Sequence, residues 1–211
     1  CSGSGRLSVM MLQGGLKIAP PVDLRYGWDI TLPRHQQLLT QLRQQAKIKC
    51  SFFSPRCSPW TSLANNSNGD KQALTMERHA DLPGIEWIYN EMVGQINNSF
   101  DCLLEQPSGS QMLKHTKLAT LDKYDKVKKL QIVHQCRHGC KISDGRPCRK
   151  STAMTGTIRL RFTALRCICV VPHGHAQGYV PGTSIPETAK LAVYPTRMCT
   201  YLTKDFLRCL I

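Results

Sequence analysis

Two periods of apolar residues run through the chain. RLSVMMLQG (6–14) has the spacing of a short helix closed by Gly14-Gly15. PRHQQLLTQLRQQ (33–45) puts Leu38, Leu39 and Leu42 on one helical face, with Pro33 in the first turn. GIEWIYNEMVGQI (84–96) spaces Ile85, Ile88, Tyr89, Met92 and Ile96 at helical intervals. SQMLKHTKLATLDKY (110–124) predicts another helix, and one or two more fall within 186–210. Between these lie short apolar runs that predict strands. The first is a stretch from Leu16, broken by Pro20-Pro21, whose VDL ends near Asp23. The others are IKCSFF (48–53), stopped by Pro55 and Pro59, then FDCLLE (100–105), LQIVHQC (130–136) and TAMTGTIRL (152–160). NNSNGDK (65–71) reads as a polar loop and SDGRP (143–147) as a turn.

Strands alternating with helices predict an α/β protein with a parallel sheet. In such sheets ligands bind at the carboxyl ends of the strands. Asp23, Asp29, Cys57 and Glu105 all fall where strands are expected to end. The glycine-rich start CSGSGRLS leads into a helix, whereas turns of this kind usually follow a strand. The expectation is a fragment of a longer chain, cut just inside the first strand of its domain.

Composition changes this picture in two ways. The 211 residues fit one domain or one domain with an appendage, and 41% hydrophobic residues suffice for a core. No apolar run approaches the ~20 residues of a membrane-spanning helix, so no membrane partner is expected. The formal charge of +14 is concentrated. Residues 1–106 carry 10 basic and 9 acidic side chains, and residues 107–166 carry 14 and 3. Such a block suits a polyanion, most often nucleic acid, although a solvated lysine-rich face has the same composition.

The 11 cysteines, an odd number, leave at least one outside any pairing scheme. No secretory leader is visible, and a chain this long does not need a disulfide framework. A reducing, intracellular compartment is expected, with thiols unpaired or metal-bound.

Individual residues then suggest chemistry. Gly3, Ser4 and Gly5 would let a backbone approach a ligand, or form an ordinary turn. Asp23 and Asp29 could accept from a ribose hydroxyl and an adenine amine, or cap turns. Cys57, in the stiff SPRCSPW loop, could be a nucleophile or an inert buried thiol; Arg56 would favour its thiolate if turned inward. Glu105 ends a buried run and could act as an acid, or cap the next helix. Cys167, Cys169, His173 and His175 have metal-ligand side chains, but C-x-C and H-x-H are tighter than common zinc spacings. A Cys/His-rich turn is the expectation there, with zinc as the alternative.

The ordered series CSGSGRLS, VDLRYGWDITLPRHQQLL, SPRCSPWTSL, LLEQPSGSQML and HQCRHGCKISDGRPCRKST resembles a DNA cytosine-5 methyltransferase-like domain. The likeness is greatest to the divergent versions in retrotransposon-type polyproteins, and RCICVVPHGHAQG with ETAKLAVYPTRMC resembles their closing segment. The resemblance implies a Rossmann-like fold binding S-adenosylmethionine, with Gly3, Ser4 and Gly5 on the cofactor loop. It implies Asp23 at the ribose, Asp29 at the adenine, Cys57 as nucleophile and Glu105 as the motif glutamate. Lys150, with Thr152, falls on a basic K-x-T patch counted with the catalytic set. Residues 1–166 would form the methyltransferase-like domain and 167–211 a Cys/His-containing helical extension. DNA is the implied partner, contacted by Lys126, Lys128, Lys129 and Arg149, and the nucleus the implied location in a eukaryotic host. The alternative reading is a non-catalytic nucleic-acid-binding domain of a retroelement polyprotein.

Overall fold

The computed structural model describes residues 5–66 and 69–210, except the side chains of Leu63, Asn66 and Lys129. In chain order the regular elements are α1 (Arg6–Gln13), α2 (Pro33–Gln45), β1 (Cys50–Phe53), α3 (Ser62–Asn66), α4 (Lys71–Asn97), β2 (Asp101–Pro107), α5 (Met112–His115), β3 (Lys128–His134), β4 (Ser151–Gly156), α6 (Glu187–Lys190) and α7 (Thr196–Leu210). The chain falls into two units. One comprises Val22–Leu130 and Ala153–Ile158, and the other 5–21, Gln131–Thr152 and 159–210.

The sheet has the order β1-β2-β4-β3. β1 and β2 run parallel, in a register from Cys50 opposite Asp101 to Phe53 opposite Leu104. Their connection includes α4, as a parallel pair requires. β4 runs the other way beside β2, since Thr157 just past its end donates its N–H to the Cys102 carbonyl near the start of β2 (2.9 Å). The sheet is therefore mixed rather than the parallel one expected, because β4 returns antiparallel beside β2, and the class is α/β. At Gly156 (φ 152°) a Cβ would stand 2.1 Å from that same carbonyl oxygen, so only glycine admits this approach.

In the first unit α4 carries the core. Asp70 caps it, its Oδ1 accepting from the N–H groups of Gln72 and Ala73. The helix expected over 84–96 thus begins 13 residues earlier, at Lys71, and runs through Pro83. A proline removes one donor from the ladder and crowds the carbonyl four residues back, and burial of Ile85, Ile88, Met92 and Ile96 on the following turns keeps the helix continuous. Ile85, Ile88, Met92 and Ile96 face inward, onto Leu104, Met112 and Leu121. A buried polar seam joins α2 to α4 and β1. Thr40 Oγ1 donates to Glu91 Oε1 (2.7 Å), Arg43 pairs with Glu91 Oε2, and Gln95 Nε2 donates to Ser51 Oγ (2.8 Å).

Two expected elements differ. No strand forms at 22–24: Asp23 accepts from the Arg25 N–H and caps a 3-10 turn, Leu24–Tyr26. Pro20-Pro21 cannot donate to a ladder, and an aspartate bonding two residues ahead favours a turn. The helix expected over 110–124 is split into α5 and a 3-10 segment, Lys117–Lys123. Thr116 between them is extended, and its hydroxyl accepts from the Leu118 N–H (3.3 Å).

The second unit contains α1 and α7, linked where Arg6 Nη1 donates to the Tyr194 carbonyl just before α7 (2.7 Å). Asp205 of α7 is fully buried and accepts from the N–H groups of Arg161, Phe162 and Thr163 and from the Thr163 hydroxyl. A small apolar cluster joins Cys140, Ile142 and Cys148 to Leu191. Beside it Glu187 accepts from the Ser143 N–H (2.9 Å) and hydroxyl (2.6 Å). Among the described residues, no helix is long and apolar enough to cross a membrane.

Candidate functional site

The carboxyl ends of β1 and β2 hold the two residues expected to do chemistry. Glu105 lies within β2 and is buried. The loop after β1 is fastened to it: Ser54 Oγ donates to Glu105 Oε2 (2.8 Å), and Gln106 Nε2 donates to the Pro55 carbonyl (3.0 Å). Cys57, two residues further on, caps the 3-10 turn Ser58–Trp60 and is half-buried. The far side of that turn is fixed as well. The Gln111 N–H donates to the Trp60 carbonyl (2.7 Å), and Trp60 Nε1 to Asp81 Oδ2 (3.0 Å). Burial pushes the Asp81 carboxyl above its ordinary value. The cysteine loop is therefore held between two residues of β2, Glu105 and Gln106, and a buried tryptophan.

Arg56 is exposed. Its guanidinium pairs with Glu77 on exposed surface (2.5 Å) and donates to Ser58 Oγ (3.1 Å).

The expected cofactor residues fall in different places. Gly3 and Ser4 lie outside the described residues. Gly5, in the second unit, caps α1 in a left-handed conformation (φ 69°). Asp23 caps the 3-10 turn noted above. Asp29, like Asp23 in the first unit, accepts through Oδ1 from the Thr31 hydroxyl (2.7 Å) and N–H (2.9 Å). Those bonds hold its pKa below the ordinary value, so it is ionised at neutral pH.

Among the basic residues, Lys150 Nζ donates to the Leu191 carbonyl (2.5 Å) within the second unit. Arg149 is exposed there. Lys126, in the first unit, reaches Ser99 Oγ (3.1 Å) and Lys128 is exposed. For Lys129 only the backbone is described. Thr152 is buried, its hydroxyl accepting from Gln135 Nε2 (2.9 Å).

A second cluster lies wholly in the second unit. The ligand atoms of Cys136, Cys167, Cys169 and His173 all stand within 4.8 Å of one another. Cys167 Sγ is 3.3 Å from His173 Nε2 and accepts from the Cys169 N–H (3.3 Å). That amide, with smaller help from the Cys136 thiol and the Arg149 charge, holds the Cys167 thiol below its ordinary value. Burial, then hydrogen bonds to Cys167 and Cys169, push Cys136 up to about 12. His134 sets the position of the segment. Its Nδ1 accepts from the Cys167 N–H (2.8 Å), and its own N–H donates to the Leu165 carbonyl (3.0 Å). His175 is exposed and outside the cluster.

Cys136 is the member that sequence reasoning missed, because it stands 31 residues before Cys167. Its placement two residues past the apolar strand LQIVH was the available signal. Nearby Cys140 and Cys148 share its segment but are buried in the Leu191 cluster. No family model, curated protein or solved structure matches the chain.

Proposed function

We infer that the chain is a DNA cytosine-5 methyltransferase-like domain that uses S-adenosylmethionine, on a Rossmann-like α/β frame. The observation that carries this reading is the attachment of the Cys57 loop to Glu105 at the carboxyl ends of a parallel strand pair. Ligands of α/β sheets bind at such ends. Cytosine carbon 5 is a weak nucleophile. Addition of the Cys57 thiolate to carbon 6 makes it enamine-like, and Glu105 as an acid beside N3 offsets the charge that develops. Carbon 5 would then take a methyl as its bond to the sulfonium breaks and a neutral thioether is left; the carbon 5 proton would pass to water, and the thiolate would be expelled as the 5,6 double bond re-forms. The cofactor supplies an electrophilic methyl. Asp29, ionised and using only Oδ1 toward Thr31, has Oδ2 for an adenine amine, and Asp23 is the candidate for the ribose. The target base must leave its stack, at about a few kcal/mol, and the basic block 107–166 offers phosphate contacts.

The test is transfer of labelled methyl from S-adenosylmethionine to cytosine-containing DNA. Transfer by the wild type, abolished in Cys57→Ala and cut about 10²–10⁴-fold in Glu105→Gln, is expected. A folded wild type that neither transfers methyl nor binds the cofactor contradicts the reading.

A non-catalytic nucleic-acid-binding domain is the second reading. It is favoured by the local tasks already given to two expected site residues, Asp23 at a turn and Lys150 at the Leu191 carbonyl. It predicts DNA or RNA binding with a steep salt slope and no cofactor binding. Replacing Lys126, Lys128, Lys129 or Arg149 with Gln, one at a time, would lower that slope by about 0.9 on duplex DNA for each phosphate no longer neutralised.

A further inference from the structure

We propose that Cys136, Cys167, Cys169 and His173 form a closed, structural zinc site, a reading independent of any methyltransferase activity. Zinc takes thiolate sulfur at about 2.3 Å and imidazole nitrogen at about 2.0 Å, so tetrahedral ligands stand roughly 3.3–3.8 Å apart. The four ligand atoms here lie within 4.8 Å of one another, and one pair is already at 3.3 Å. Small side-chain adjustments complete the tetrahedron. Three cysteines and one histidine leave no open position, which marks a structural rather than a catalytic site.

Burial separates these thiols from packing cysteines. Cys102, Cys140, Cys148 and Cys199 are buried in apolar surroundings, as unreactive cysteines usually are. Cys136, Cys167 and Cys169 are all half-buried, with sulfurs converging.

The backbone is arranged for the task. Cys136 lies in a 3-10 turn, Gln135–His138, closed by Gly139 in a left-handed conformation. The segment bearing the other three ligands has no helix or strand and cannot be held by its own apolar burial. Ile168, Val170 and Val171 are 70%, 99% and 53% exposed. Both of its ends are nonetheless fixed. His134 orders the start through Leu165 and Cys167. Gly174 holds the end: its N–H donates to the Pro147 carbonyl (2.9 Å), and a Cβ there would stand 2.1 Å from Ile142 Cδ1. The Cys169 N–H on Cys167 Sγ is the kind of outer hydrogen bond that steadies a metal-bound thiolate. Three thiolates and a zinc dication sum to −1, and Arg149 and Arg166 bring positive charge to the same unit. Bound zinc would cross-link the end of β3 to residues 167–173, adding folding free energy that this exposed segment lacks.

The test uses the full 211-residue chain, expressed with zinc and purified under reducing conditions. Elemental analysis is expected to give about one zinc per chain, and cobalt exchange the visible spectrum of a tetrahedral thiolate site. Cys136→Ser and Cys167→Ser should each leave under about a tenth of the metal, while His175→Ala retains it. Because a ligand variant can fail to fold, wild type is also stripped by a chelator. Hydrogen-exchange protection should then fall at 165–173 and persist in α4. A folded wild type without stoichiometric metal would overturn the proposal. So would iron in place of zinc, or metal lost in His175→Ala but kept in Cys136→Ser.

Discussion

Ser54 donates its hydroxyl to Glu105 Oε2 at 2.8 Å, across the parallel pair β1 and β2. Fifty-one residues separate the two in sequence, and the bond ties the loop that leads to Cys57 to a buried carboxyl. Ser54→Ala removes that donor. The expected cost is about 1–2 kcal/mol of stability, read as a lower urea midpoint at unchanged slope. If the Cys57 loop is catalytic, methyl transfer falls further than the stability loss explains. An unchanged midpoint would show that the hydroxyl holds nothing.

Arg43 and Glu91 form an ion pair that is largely withdrawn from water, with Thr40 completing the carboxylate's bonds. Arg43→Ala strands a buried charge and should destabilise by about 3–5 kcal/mol in a denaturation curve. Replacing both partners with apolar residues of similar size should recover most of that loss. A double variant no better than Arg43→Ala would contradict a desolvation origin.

Asp205 is fully buried and takes three backbone N–H groups and one hydroxyl from residues 161–163. Asp205→Ala orphans several donors at once, at about 1–3 kcal/mol each when they stay dry. Early loss of exchange protection at 161–163 is the expected readout. Asp205→Asn, which keeps one acceptor oxygen, should fall between that variant and wild type.

Glu187 supplies a pH dependence whose sign follows from its bonds. The Ser143 hydroxyl, then Lys190, hold its carboxyl below the ordinary 4.5. On acidification the unfolded chain takes up this proton first. The stabilisation is complete above about pH 4.5 and is lost as pH falls through the lower folded value. Thermal melts of wild type and Glu187→Gln should therefore converge as the pH drops below 4.5. A gap of constant size down to strong acid would mean that this carboxylate's charge contributes nothing.

Much of the secondary structure was legible because it rests on near neighbours. PRHQQLLTQLRQQ is α2 residue for residue, and the apolar runs at 48–53, 100–105, 130–136 and 152–160 contain the four strands within a few positions. Where the reading differed, a polar side chain had settled the local backbone. Asp23 made a turn of an expected strand, Asp70 began α4 thirteen residues early, and Thr116 divided a helix. Of the expected site, Cys57 and Glu105 were legible as a residue just past one strand and a residue near the carboxyl end of the next. The pairing of Arg56 with Glu77 was not, because Glu77 lies 21 residues away.

The order of most helices and strands, the basic block after residue 106 and the residue types available for chemistry are all written in the linear chain. These depend on side-chain periodicity and composition, which need no folded partner. Folding in three dimensions set β4 between β2 and β3 and attached the Cys57 loop to Glu105. It also brought Cys136, rather than His175, to Cys167, Cys169 and His173. Each of these is a meeting of segments tens of residues apart. Such meetings are selected by burial and hydrogen-bond satisfaction over the whole fold, and no local pattern encodes them.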